Sequence, residues 1–369
     1  MLARERNIRL TVKNSGHDYV GRSSGANSLS IWVHHMKKIV LHQKAFSLTS
    51  CNTTIYGAAI TAGAGSQMAE IYKATAEINH TVVGGNGRTV ALGGFISGAG
   101  HSLLSPRYGL AADRVLEMEM VTPKGEILTL NECQNTDLFW AARGGGASTF
   151  GILTSITSQL VPSPKVLNLD VLLAAAAEDA VTFDWITGFV RRFPSFADKG
   201  ISGYPIIFNS VPNFLGGGSR KISGIKARFI MTDASDENDL SSIIRPIIIN
   251  ITSSYPNTYV FMNSSQFSDW NSWFNQNFDS SPTGHDKVVG SRLLDKNSLT
   301  ANETALRIAL EEFSAGGEAA VFLVSGNGVH NAKPRGGSNA ILPAWRKAYV
   351  HASLFPPFQW PMHDTKWCK

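Results

Sequence analysis

The chain has 369 residues, of which 43% are hydrophobic and 17% charged, a length and balance that suit a two-unit globular protein with sizeable cores. Its net charge of +5 comes from scattered Lys and Arg, with "HHMKK" (His34 to Lys38) and "VRR" (Val190 to Arg192) the densest spots, so the basic stripe of a nucleic-acid surface is missing. No apolar run reaches the ~20 residues of a membrane span, and Cys51, Cys133 and Cys368 lie too far apart to suggest a metal cage or a disulfide framework.

Glycines and short strands crowd the first 160 residues. "NIRLTV" reads as a strand, and "SLSIWV", with Leu29, Ile31 and Val33 alternating, as a half-buried one. "AITAGAG" is a third, after which Ser66 is placed to cap the helix "QMAEIYKATAEI". "VLEMEMVTPKGEILTL" reads as two strands joined at Pro123-Lys124-Gly125. "DLFWAAR" is a short helix stopped by Gly144, Gly145 and Gly146, and "FGILTSITSQLV" a strand. Pro162-Ser163-Pro164 then marks a boundary. Beyond it strands such as "LDVLL" and "GIKARFIM" alternate with helices. One helix puts Ile186, Phe189, Val190 and Phe193 on a face. Another opens with Thr300 and Glu303 as a capping box before Leu306, Ala309, Leu310 and Phe313. The fold class expected is α+β, a sheet backed by helices in the second unit.

Several motifs fall away on context. Gly21-Arg22-Ser23-Ser24-Gly25 matches a hydrolase nucleophile elbow, but a strand follows it where a helix is required. Gly63-Ala64-Gly65 and Gly98-Ala99-Gly100 begin a dinucleotide fingerprint and lack its third glycine. Five N-x-S/T sequons, at Asn52, Asn79, Asn250, Asn263 and Asn302, say little about secretion, and "MLARERNIRL" has no apolar leader core, so localisation stays open. Four glycine-rich turns remain: around Gly16-His17, at "VVGGNG" (Val82 to Gly87), at "LGGFISGAG" (Leu92 to Gly100), and at "RGGG" (Arg143 to Gly146). Together they offer backbone free of side chains, whose N–H groups can converge on a phosphate or a planar ligand.

In order and spacing these turns resemble the berberine bridge enzyme-like oxidases of the vanillyl-alcohol oxidase and p-cresol methylhydroxylase (PCMH) superfamily. The likeness is carried by "IRLTVKNSGHDYVGRSSG", by "VVGGNGRTVALGGFISGAGHSLLSPRYGLAADRVLEMEMVTPKGEILTLN" and by "NTDLFWAARGGGASTFGILTSIT". It thins through "VVGSRLL" and "NAILPAWRKAYV". The resemblance implies a PCMH-type FAD-binding domain over 1–164, an α+β substrate domain with an antiparallel sheet over 165–335, and the start of a return to the first domain over 336–369. It implies that His17 bonds covalently to the flavin, that Ser15, Gly16 and Gly21 bring main-chain donors to the pyrophosphate, that Gly93, Gly94, Gly98 and Gly100 line the cofactor's path, and that Gly151 allows close backbone approach. Relatives often attach the flavin a second time through a cysteine. Gly87 stands at that position here, and neither Cys51 nor Cys133 aligns with it, so a single attachment through His17 is expected.

The implied reaction oxidises a small organic substrate, a secondary metabolite or a sugar, with O2 as final acceptor. No catalytic base is assigned. Tyr204, Phe208, Trp270 and Trp273 are candidate pocket aromatics, a type that is more often core. The strand–helix–strand unit that precedes the histidine loop in the family is reduced here to "MLARERNIRL", and "PPFQWPMHDTKWCK" stands where relatives return to the flavin domain. The sequence therefore reads as shortened at both ends, with a non-catalytic flavin-fold remnant as the alternative to an oxidase.

Overall fold

The computed structural model describes residues 2–147, 149–216, 220–234, 236, 239–281 and 289–354; the "PPFQWPMHDTKWCK" segment with Cys368, and Val288 of "VVGSRLL", lie outside them. Strands β1 (Leu10–Lys13) and β2 (Leu29–Trp32) pair in parallel, from Leu10 opposite Leu29 to Lys13 opposite Trp32. Strands β3 (Ile39–His42), β4 (Ala59–Gly63), β5 (Val115–Val121), β6 (Ile127–Asn131) and β7 (Ile152–Gln159) form an antiparallel sheet in the order β3-β4-β7-β5-β6. The period of two places Met118 and Met120 of β5 in the core, with Glu117 and Glu119 on the other face. The β5–β6 turn closes where Gly125, at φ +85°, donates to the Thr122 carbonyl at 2.9 Å.

Helix α1 (Met68–Ala76) lays Met68, Ile71 and Tyr72 on this sheet, beside α2 (Leu92–Ser97). Its cap is Gln67, not Ser66. The Glu70 carboxylate accepts the Gln67 N–H at 2.8 Å in a capping box, and the Ser66 hydroxyl is buried without a partner among the described residues. Helix α3 (Thr136–Ala142) ends before the glycine run, as expected.

The second unit is an eight-stranded antiparallel sheet made of β8 (Val166–Ala176), β9 (Ile201–Gly203), β10 (Ile206–Pro212), β11 (Lys221–Thr232), β12 (Tyr259–Phe267), β13 (Gly290–Asp295), β14 (Glu318–Leu323) and β15 (Ala348–Leu354). Its order is β12-β8-β11-β9-β14-β15-β13, with β10 bridging β11 and β14. Leu167, Leu169, Val171 and Leu173 point to one side of β8. There they bury against helices α4 (Thr182–Val190), α5 (Phe193–Asp198), α6 (Asp239–Ser254) and α8 (Glu303–Phe313). Ile186, Phe189, Val190 and Phe193 are all buried, but the chain breaks between α4 and α5, so Phe193 opens a new helix. The cap of α8 is Asn302, whose side chain accepts the Ala305 N–H at 3.0 Å. Thr300 ends the preceding helical turn, and Ala309 faces solvent.

The opposite face of the second sheet meets the first unit. Asn168 accepts the Trp273 indole N–H at 3.0 Å on helix α7 (Trp270–Asn277), and Trp270, Trp273 and Phe274 share a core with Tyr72 and Ile71. Residues 335–346 lie along the first unit before β15 enters the second sheet. Ala340 donates to the Trp140 carbonyl at 3.2 Å, and Arg335 pairs with Glu132. Asp113 closes this contact: its buried carboxylate takes Arg346 through both oxygens, at 2.8 and 2.7 Å, and the Asn339 amide at 2.8 Å. A ring cluster lies on the same seam, where His101 sits within 6.3 Å, centroid to centroid, of Tyr204, Phe322, Trp345 and His351. Phe322 and His351 are cross-strand partners on β14 and β15. Burial, with some repulsion from His351, pushes His101 down to about 3, and burial alone brings His351 to about 4.

Cys51 and Cys133 are joined in a disulfide, against the expectation from their 82-residue separation. The β6–α3 corner and the hairpin over 45–56 bring them together: Asn131 and Gln134 both donate to the Thr49 carbonyl. No helix among the described residues is long and apolar enough to cross a membrane.

Under denaturing conditions the chain should show two fewer thiols before reduction than after, and a Cys51→Ser variant should lose about 2–4 kcal/mol of stability; equal thiol counts would remove the disulfide. Asp113→Ala leaves the Arg346 charge unpaired and should cost about 3 kcal/mol in denaturant melts, whereas a loss under about 0.5 kcal/mol would make the pair a surface contact. His101 and His351 refuse protons in the fold that the unfolded chain accepts below about pH 6.5. Their contribution is therefore flat above that pH and is lost as pH falls toward the two folded values. Urea midpoints should drop between about pH 7 and about pH 4, and drop less in a His101→Phe/His351→Phe variant; identical slopes would clear both histidines.

Candidate functional site

The four glycine turns converge. The first runs from the end of β1 to Gly25. Gly16, at φ +92°, turns the chain so that His17 leaves the loop on the side of the second turn. Asp18 holds the loop shut: its carboxylate takes the Arg22 N–H and guanidinium, both at 2.8 Å, and its carbonyl takes the Gly21 N–H at 3.1 Å. Arg22 keeps the Asp18 carboxyl below its ordinary value against burial, the largest single influence, which acts in the opposite direction.

The second turn, residues 84–91, lies over the start of α1. Its carbonyls serve as the helix cap. Val90 accepts the Met68 N–H at 2.9 Å, Arg88 the Ala69 N–H at 3.1 Å, and Thr89 the Gln67 side chain at 3.2 Å. The His17 ring meets this turn through a 2.8 Å hydrogen bond between its Nε2 and the Thr89 hydroxyl. A Cβ placed on Gly87 would lie 4.0 Å from His17 Cε1, so this position borders the histidine. Burial lowers the His17 pKa below the usual imidazole value, and Asp279 works the other way. Asp279 arrives from the second unit, just after α7, where its N–H donates to the Asn86 carbonyl at 2.9 Å. The same carboxylate bears on Tyr19 and Tyr204, both raised above the ordinary phenol value chiefly by burial.

The third turn is tied to the first by one carbonyl. Ala64 accepts the Gly93 N–H at 3.0 Å and the Asn14 amide at 2.7 Å. A Cβ on Gly93 would stand 2.9 Å from that Asn14 nitrogen, which requires the glycine. Gly94, one residue on, has open space at its Cβ position, while Gly98 and Gly100 shape the end of α2, Gly100 packed against Phe95 and Ala111. The fourth turn joins through the Gly146 N–H, which donates to the Ser97 carbonyl at 3.0 Å. Gly151 lies apart from the histidine loop and permits close contact with β5, its Cβ position 2.6 Å from the Val121 carbonyl. In the fourth turn Arg143 is buried over the Phe139 ring, 3.7 Å from its centroid, and donates to the Phe139 and Ser338 carbonyls.

These loops fit a large anionic, planar cofactor. The N–H groups of Ser15, Gly16 and His17, and of the buried Gly84 and Gly85, donate no hydrogen bond among the described residues, and the Asn86 side-chain oxygen is buried without a partner there. Buried backbone donors are rarely left so. Of the aromatics proposed from sequence, Phe208, Trp270 and Trp273 are core, each at most 1% exposed. Tyr204 alone is half-buried, stacked edge-on against Phe322 at 4.9 Å. Sequence reading missed Thr89, Asn14 and Asp279. Only the first two lie near a motif; Asp279 stands far along the chain from the histidine and carries no local signal.

A family model described as an FAD binding domain matches residues 1–131. An uncharacterized FAD-linked oxidoreductase of Arthroderma benhamiae is 36% identical over 358 residues, 94% of this chain and 59% of that protein. The chain thus spans about three-fifths of the length of this curated relative. The crystal structure of the VAO-type flavoprotein MtVAO713 from Myceliophthora thermophila C1 superposes with a TM-score of 0.85 at 28% identity, over 95% of this chain and 63% of that one. Berberine bridge enzyme from Eschscholzia californica, at 18% identity and a TM-score of 0.67 over 96% of this chain and 67% of that one, shares the fold. Residues 1–131 thus match an FAD-binding domain, and the chain has the fold of the VAO-type flavoproteins, which berberine bridge enzyme shares.

Proposed function

We propose that the protein is an FAD-linked oxidase of a small organic substrate, a secondary metabolite or a sugar, with FAD held by the four glycine turns and tethered once, through His17. The observation that carries this reading is the position of the His17 imidazole, aimed at the turn over 84–91 and engaged with Thr89 at 2.8 Å. Burial favours its neutral form, the form in which an imidazole nitrogen is a nucleophile. Ser15 and Gly16 on the first turn, with Gly84 and Gly85 on the second, would supply main-chain donors to the phosphates, whereas the Gly21 N–H, also expected there from the sequence, is spent on the Asp18 carbonyl and would instead hold the loop's shape. Gly93, Gly94, Gly98 and Gly100 would leave the path beside α2 clear of side chains, and Gly151 would bring β7 close to β5.

When bound, FAD supplies a two-electron acceptor for hydride from a substrate C–H and returns the pair to O2 as hydrogen peroxide. The chain's own part is to bind and orient. The face of the second sheet turned to the first unit carries Asp170, paired with Arg228 at 2.7 Å, and the Tyr204, Phe322 and His351 rings, a surface with both charged and aromatic contacts for a substrate. Division of the described residues into an FAD-binding unit through 164 and a substrate unit beyond it follows from the same reading.

Acid precipitation tests the tether. Yellow colour and flavin fluorescence should stay with the wild-type pellet and pass to the supernatant in a His17→Ala variant. Colour lost from wild type would end covalent attachment, and colour kept by the variant would end the assignment to His17. Peroxide release during substrate oxidation separates an oxidase from a protein that only holds flavin.

A further inference from the structure

We propose that the ring cluster on the seam between the two units lines a crevice that binds an uncharged alcohol, with His101 as the acceptor of the hydroxyl hydrogen bond. This rests on the FAD-linked oxidase reading and adds to it a place for the substrate, its charge class and one residue that selects it.

His101 follows the third glycine turn, and the backbone before it is held in an uncommon conformation. Ala99 has φ +76° and Gly100 φ +71°, so a residue with a side chain sits in the left-handed region beside a glycine. The Ala111 and Ala112 N–H groups fix this turn through the Gly100 and Ala99 carbonyls, at 2.9 and 3.1 Å. The imidazole is thereby brought to the inner face of the second sheet. It lies 5.6 Å from His351 on β15 and 6.1 Å from Phe322 on β14, centroid to centroid. Trp345 stacks on it at 6.3 Å, and Tyr204 meets it edge-on at the same distance.

All five rings keep partial exposure although they lie between the units. Rings packed as core lose it, as Trp270 and Trp273 do elsewhere on the seam. The cluster therefore borders open space, and polar atoms at its wall are unmatched. His101 makes no hydrogen bond through either nitrogen among the described residues, and its Nδ1 is buried. His351 bonds the Ser353 hydroxyl through Nε2 at 3.2 Å and leaves a buried Nδ1 without a partner there. Buried polar atoms without partners are few in native folds, and a bound ligand is one thing that completes them.

The walls select against charge. Burial, with a smaller push from His351, brings His101 to about 3, and burial brings His351 to about 4. Both imidazoles stay neutral, and a bound ammonium meets the same resistance. Asp279, whose field reaches Tyr204, opposes a carboxylate. The ion pair on this sheet face, Asp170 with Arg228 at 2.7 Å, satisfies itself. A hydroxyl suits what remains: it donates to an open imidazole nitrogen and lays its carbon skeleton on the rings.

Diethyl pyrocarbonate, which acylates neutral, accessible imidazoles, tests the crevice on the full chain with and without added FAD. Exposed His35 serves as internal reference. Peptide mapping should find His101 modified in both forms. Cyclohexanol at about ten times its Kd should slow that modification roughly tenfold, while cyclohexanecarboxylate and cyclohexylamine at equal concentration should not. His101→Phe should weaken cyclohexanol binding roughly fivefold, the value of one hydrogen bond, as read from the His351 ring-nitrogen resonances. The same variant should keep or raise the urea midpoint, because it removes an unmatched polar group, whereas a purely structural histidine would lower it. His101→Gln, which restores an acceptor, should recover the binding. An unreactive His101, no protection by cyclohexanol, equal protection by the charged analogues, or undiminished binding in His101→Phe would each overturn the inference. Protection of His101 by FAD alone would give the crevice to the cofactor and overturn it as well. A chain that retains no flavin would end the oxidase reading, and the protection measured without FAD still decides the crevice.

Discussion

The Ala64 carbonyl holds the site together. Its two lone pairs serve two different turns, the Gly93 N–H at the start of α2 and the Asn14 amide at the end of β1. A carbonyl at the end of β4 can do this only where no side chain intervenes, and the residue opposite is Gly93. With Asn14 fixed, Gly16 turns, and His17 comes to the loop over 84–91. That loop is itself locked, because its carbonyls cap α1, whose buried face is the core of the first sheet. The histidine is thus placed by a short chain of backbone and side-chain hydrogen bonds that starts in the core. Each bond contributes about 1 kcal/mol, and their worth lies in geometry: they fix one direction for one ring.

The second unit is not an appendage to this arrangement. One core cluster contains α1 and α2 residues together with Val166, Ile230, Trp270 and Trp273 from beyond the turn at 162–164. Asp113 repeats the theme in charge, since it caps the Leu110 N–H within the "YGLAAD" turn and grips Arg346 across the seam. A motif residue therefore serves the packing of the two units as much as its own loop. Fixing the second unit fixes the segment over 277–281, and with it the Asp279 charge beside His17.

Most of the fold is legible in the sequence where one local rule suffices. The Pro123-Lys124-Gly125 hairpin, the helix ended by Gly144 to Gly146 and the alternation along β8 all obey a single period or a single turn. Legibility fails where two candidates compete. Ser66 is the better intrinsic cap than Gln67, yet Ser66 is drawn inward by its backbone bonds to Gly63 and Leu92, and Gln67 with Glu70 takes the cap. Thr300 and Glu303 have capping-box spacing, but Asn302 is nearer the first helical turn and wins it. The disulfide was beyond reach for another reason. Cys51 and Cys133 are 82 residues apart, and only the folded corner at Thr49, Asn131 and Gln134 makes them neighbours. The aromatics fail similarly: nothing in their sequence separates Trp270 from Tyr204, and burial depends on a seam between distant strands.

Gly87 shows how the proposed single tether is compatible with local packing. A second attachment would need a side chain at this position, and any side chain begins with a Cβ. Here that atom would stand 2.9 Å from Val90 Cγ2, closer than real Cβ atoms come, so Val90 would have to move. Val90 is not free to move far. Its carbonyl caps Met68, its N–H donates to the Gly87 carbonyl at 3.2 Å, and its side chain packs on the first core. The bare glycine at position 87 and the seat of the histidine are then two sides of one arrangement. The space a second side chain would take is closed by Val90, and the turn so tightened is the one that presents Thr89 to His17.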